Sequence, residues 1–200
     1  MDQDSFFSTE AIQNLFFFFN SYEDKKNLGI LTPFHATQLS RDLKFDYTSR
    51  ELKITMTSGN IISLKAWKTI NGFKENYFID FVDHEYSLRL RKNGYKIIEC
   101  SNSMLTHALG DLKKFNFLGR TFSTSNHNYI RRYYITRNRL SVMKDYFMFD
   151  STTCIKDLYF MFAEFFKIII EEEDKSLKIK SFVLGIKDFM IGRYGKKQFK

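Results

Sequence analysis

The segment FIDFVDHEYSLRLRKNGYKIIEC (78–100) restricts the fold more than any other part of the chain. Asp80, Asp83 and Glu85 crowd its start, Arg89, Arg91 and Lys92 stand near its end, and Gly94 occupies a helix-terminating position. The strand-forming run YKIIEC follows at once, so the segment reads helix, turn, strand. The same alternation recurs elsewhere. LGILTPF (28–34), closed by Pro33, predicts a buried strand, and ELKITMT (51–57), with Leu52, Ile54 and Met56 at alternate positions, predicts a half-buried one. Ser8 or Thr9 can cap a helix through AIQNLFFFF, and Ser63 can cap LKAWKTI, which stops near Gly72. SMLTHAL predicts a further strand and YIRRYYITRNRLSVMKDY a basic helix, and beyond about residue 146 only helical patterns remain. Helices interleaved among short strands indicate an α/β fold.

Composition narrows the partners. The 200 residues suit one ordinary domain, perhaps with a small appendage, and 44% hydrophobic with 27% charged residues is a globular balance. The 23 Phe and 11 Tyr can build a large core, and a surplus of Phe suits a surface that meets membrane or another chain. A formal charge of +8 favours nucleic acid, a nucleotide diphosphate or an acidic lipid surface. Cys100 and Cys154 form no disulfide framework, which fits a reducing compartment. The acidic opening residues do not predict a signal peptide. The stretch Cys154 to Ile170 carries Lys156, Asp157, Glu164 and Lys167, so it predicts an amphipathic helix rather than a membrane span.

Four features carry chemistry. Asp2 and Asp4 form a D-x-D triplet, which holds a divalent metal where a turn follows a strand and is otherwise an acidic chain start. Asp80 and Asp83 are first of all helix-capping acids; the functional alternative makes one of them a general base at a helix start. His107 ends a strand, where ligands project from α/β sheets; His35, His84 and His127 show no zinc spacing. The run from Arg131 to Arg139 offers guanidinium groups and tyrosines to phosphate oxygens. Nucleic acid is not the expected partner, because no recognition motif is present and the basic residues are scattered among acids. Walker, G-x-G-x-x-G and G-x-S-x-G motifs are absent.

In order, DQDS, TSGNIISLKAWKTINGF, FIDFVDHEYSLRLRKNGYKI, the His107 turn and NHNYIRRYYITRNR resemble the family 2 inverting glycosyltransferases, most closely bacterial rhamnosyltransferases of cell-surface polysaccharide assembly. The likeness covers about residues 1 to 145. It implies the C-terminal portion of a GT-A (Rossmann-like) domain over 1–145 and a basic, membrane-associated helical region over 146–200. It implies that Asp2, Asp4 and His107 hold Mg2+ or Mn2+, and that Asp83 is the base. The family's E-D pair at this helix start becomes Val82-Asp83 here. Ser58, Gly59, Asn60 and Asp80 are then expected at the acceptor, and Arg131, Arg132, Tyr134, Arg137 and Asn138 at the donor diphosphate. The implied partners are a nucleotide-sugar donor, dTDP-rhamnose foremost, and a lipid-linked or polysaccharide acceptor at the inner face of the bacterial plasma membrane. The family carries a nucleotide-binding half ahead of its D-x-D, so the chain alone is expected to be inactive without that half. The rival expectation is a non-catalytic remnant that keeps only acceptor or membrane contacts.

Overall fold

A computed structural model describes residues 5–36, 45–107, 113–117 and 119–199. The chain divides into two units, 1–73 with 83–109 and 74–82 with 110–200. The helix that ends at Tyr146 packs against both helices that follow it.

In the first unit, β1 (Ser5–Phe7), α1 (Thr9–Ser21), β2 (Leu28–Ala36), β3 (Ser49–Glu51), β4 (Ile61–Ile62), α2 (Leu64–Thr69), α3 (Val82–Lys92) and β5 (Lys96–His107) follow in chain order. The sheet runs β1-β5-β2-β4, with β3 also against β5. β2 and β5 are parallel and the other pairs antiparallel. Successive side chains of β2 and β5 point to opposite faces. Ile30 and Ile97 join Ala66, Ile70, Tyr86 and Leu90 beneath α2 and α3. Leu31, Ile98 and Cys100 join Leu15, Phe18 and Phe19 beneath α1. The sheet is thus covered by helices on both faces, as an α/β pattern requires.

Several local expectations hold at residue level. Ser8 caps α1 by accepting from the Ala11 N–H at 3.1 Å, and Ser63 caps α2 by accepting from Ala66 at 3.3 Å. Gly94 follows α3 at φ +82°. Three expectations fail. β2 runs on through Pro33 to Ala36, with a register shift between Pro33 and Phe34. YKIIEC and SMLTHAL are one strand, whose residues 101–103 have no partner in the β2 register because Pro33 faces Cys100 while Phe34 faces Met104. ELKITMT is strand only at its first residue: after Leu52 donates to Ile97 O at 2.8 Å the chain leaves the ladder, and Thr55, not Ile54 or Met56, becomes the buried side chain.

The second unit holds a 3₁₀ turn at Glu75–Tyr77, a hairpin of β6 (Lys113–Phe117) and β7 (Arg120–Thr124), and helices α4 (Tyr129–Tyr146), α5 (Ser151–Ile170) and α6 (Lys175–Met190). Asn128 and Asp150 cap α4 and α5. α4 and α6 approach closely at Gly185, where a Cβ would stand 2.8 Å from Tyr133 O. The interior between these helices is polar. Glu172 accepts from Arg132 at 2.6 Å, Lys178 at 2.9 Å and the Thr124 hydroxyl at 2.5 Å, all buried. Asp188 accepts from Tyr133 OH at 2.7 Å and Lys197 Nζ at 2.6 Å.

Candidate active site

Of the residues expected to handle metal and acceptor, Ser58, Gly59, Asn60 and the backbone of His107 lie in the first unit, at the C-terminal ends of the parallel strands. Ser5, the residue after Asp4 in the chain, pairs in register with His107. The Ser58-Gly59 turn lies against this pairing. Ser58 Oγ is 3.4 Å from Ser5 Oγ, and the Ser58 carbonyl accepts at 2.8 Å from His35 Nε2 on β2. Because a carbonyl can only accept, His35 carries its proton on Nε2. Gly59 takes φ +72°, and a Cβ there would collide with Leu105 Cδ1 and touch Phe7 and Pro33. The turn therefore needs glycine both for its backbone and for its close approach to β1, β2 and β5. Asn60 donates to Met56 O at 2.6 Å, closing the turn from within.

Asp83 stands in the first turn of α3. Leu90 lies against Gly29 near the start of β2, while the Ser87 hydroxyl meets Thr55 N at 3.4 Å and Thr55 meets Thr32 at 3.0 Å further along β2. Going back along α3 therefore means going forward along β2, and the first turn of α3 points toward the strand end that carries His35. Open α/β sheets take their ligands at this end. Asp83 is half-buried, at 27% side-chain exposure. Burial pushes its pKa up, but the neighbouring His84 ring at 3.2 Å and the His84 N–H at 2.9 Å outweigh burial and hold it below the usual carboxylate range. The group is ionised at neutral pH, the state a proton acceptor needs.

Asp80 and the basic helix belong to the second unit. Asp80 is not a helix cap: α3 starts at Val82, and the Asp80 carboxylate accepts from Arg131 Nε at 3.0 Å. Phe78, Asp80 and Phe81 all take positive φ, which side chains rarely adopt. Asn138 holds this segment, donating from Nδ2 to the carbonyls of Tyr77 at 3.1 Å, Ile79 at 2.8 Å and Asp80 at 3.0 Å. Arg137 is fully buried among the rings of Tyr133, Tyr134 and Tyr194, and donates to Tyr77 O and Gly195 O, each at 2.9 Å. Arg132 lies between Glu164 and Glu172, and the buried Tyr134 hydroxyl accepts from Lys197 N at 2.7 Å. Of the five side chains expected at a diphosphate, Arg131 is the exposed one, at 48%. The other four face protein partners.

Asp2 and Asp4 lie outside the described residues, and His107 is described by its backbone position alone. His35 and His84 were not singled out from sequence. Neither sits in a motif, and their roles come from tertiary contact or from the residue next door.

Comparison with known proteins gives one distant relative. The chain is 26% identical over 171 residues to the dTDP-rhamnosyl transferase RfbF of Shigella flexneri, an alignment that takes in 86% of this chain and 54% of the relative. The chain spans about half the length of that relative. No family model matches, and no solved structure matches.

Proposed function

We propose that the chain carries the acceptor and catalytic part of an inverting glycosyltransferase, which moves rhamnose from dTDP-rhamnose to a lipid-linked or polysaccharide acceptor. One observation carries this reading. The segment following D-x-D, the Ser58-Gly59-Asn60 turn, and the strand ending at His107 meet at one end of a parallel strand pair, and Asp83 is directed toward that end. Asp83 then takes the proton from the acceptor hydroxyl as that oxygen attacks the anomeric carbon. A single displacement inverts the configuration. Ser58 and Asn60 line the acceptor side. Asp2, Asp4 and His107 would hold Mg2+ or Mn2+, since carboxylate oxygens suit both ions. The Ser5–His107 register supports their belonging to one site. Such an ion supplies positive charge against the departing diphosphate.

The test is Asp83→Asn in an active polypeptide that contains this chain. Transfer should fall by about 10²–10⁴-fold with donor binding retained. Near-normal transfer would remove Asp83 as base. A second reading, a binding module without catalysis, is favoured by the interior placement of Arg132, Tyr134, Arg137 and Asn138. It would show as acceptor binding with no Mg2+-dependent affinity for dTDP.

A further inference from the structure

The helical unit has its polarity inverted. Inside lie Arg132, Arg137, Arg139, Glu172, Lys178 and Asp188, all buried. Outside, the α4–α5 turn exposes Phe147, Met148 and Phe149, with Met148 96% exposed. α5 continues the pattern with Ile155, Tyr159, Phe162, Phe166 and Ile169, spaced three and four residues apart along one exposed stripe. Lys156 is the sole charge among the exposed positions of α5. A surface helix in water normally shows the reverse arrangement, and a continuous apolar face of this kind marks a contact with something apolar. No helix among the described residues is long and apolar enough to cross a membrane.

The charges of the same unit identify what covers it. The exposed charged side chains of α6 and the following tail are Lys175, Lys180, Lys187, Arg193 and Lys196, all basic. The exposed acids nearby are confined to the turn 171–174 between α5 and α6, where Glu173 is paired with Lys113. Aromatic and branched apolar residues with lysines beside them suit the boundary between headgroups and acyl chains, and the basic residues suit anionic headgroups.

We propose that the α4–α5 turn and the outer face of α5 seat in the surface of an anionic phospholipid bilayer, with the basic residues of α6 and the tail against its headgroups. This surface is independent of sugar transfer and uses none of the residues assigned to it. The experiment is flotation of the 200-residue chain with vesicles of phosphatidylglycerol and phosphatidylcholine, or of phosphatidylcholine alone, across a salt series. The chain should float with the anionic vesicles at low salt, and at least tenfold less should float at high salt or without phosphatidylglycerol. Phe162→Glu with Phe166→Glu should abolish flotation with the circular dichroism spectrum unchanged, and Lys180→Glu with Lys187→Glu should weaken it. Flotation that is absent, or indifferent to both double variants, overturns the proposal. So does a concentration-dependent dimer that Phe162→Glu with Phe166→Glu converts to monomer while wild type ignores vesicles.

Discussion

At the scale of single residues, the account depends on Asp83 and Gly59. The His84 ring and N–H hold the Asp83 carboxylate below the ordinary aspartate value of 3.8 despite its burial. A depressed folded pKa stabilises the fold above the unfolded pKa, and that contribution is lost as pH falls through the folded pKa. Carbon-13 titration of the Asp83 carboxyl should therefore give a midpoint under 3.8, and His84→Leu should move it upward. A midpoint above the ordinary value would show that burial dominates. Gly59→Ala is expected to destabilise the first unit by about 1–3 kcal/mol in urea unfolding, since the new methyl meets Leu105 at a backbone angle that disfavours it. Of this site, the S-G-N turn and Asp83 were legible in sequence because their residue types announce a turn and a helix start. His35 was not, because its hydrogen bond to Ser58 spans 23 residues.

Elements explain why the basic helix reads one way in sequence and another in structure. Charge and aromatic content suggested a phosphate-facing α4, yet Arg132, Arg137 and Asn138 are spent on carboxylates and carbonyls inside the unit. A helix pattern gives the spacing of its residues, but burial depends on the helices packed against it, and α5 and α6 cover the basic face here. Helix α3 and its end at Gly94 were legible from short-range signals, but its start was not, because Asp80 pairs with Arg131 instead of capping the helix. The single long strand β5 was not, because its unpaired residues 101–103 break the pattern into two runs. Asn138→Ala removes three hydrogen bonds from the segment 77–81, and hydrogen exchange at its amides should accelerate well beyond that of α4. Equal rates in wild type and variant would deny Asn138 that role. Glu172→Gln leaves buried Arg132 and Lys178 without their shared carboxylate and should cost about 3–5 kcal/mol, read by thermal unfolding.

At the scale of the whole molecule, the α/β order of elements was readable from helix and strand periodicity, and the sheet covered on both faces follows from it. The division into units was not, because 74–82 groups with 110–200 through long-range contacts such as Asp80 with Arg131, 51 residues apart. The hairpin of β6 and β7 was likewise missed, although Gly119 between two short alternating runs was its available signal. The distant likeness to a rhamnosyl transferase and the gathering of Ser5, Ser58, Gly59 and His107 at one strand end bear on the same conclusion by separate routes. The most direct measurement is sugar transfer from dTDP-rhamnose by an active polypeptide that contains this chain, with the product anomer assigned by NMR for wild type and Asp83→Asn. The account predicts an inverted anomer from wild type and loss of transfer in Asp83→Asn with dTDP still bound. A retained anomer, or an Asp83→Asn enzyme as fast as wild type, would contradict it.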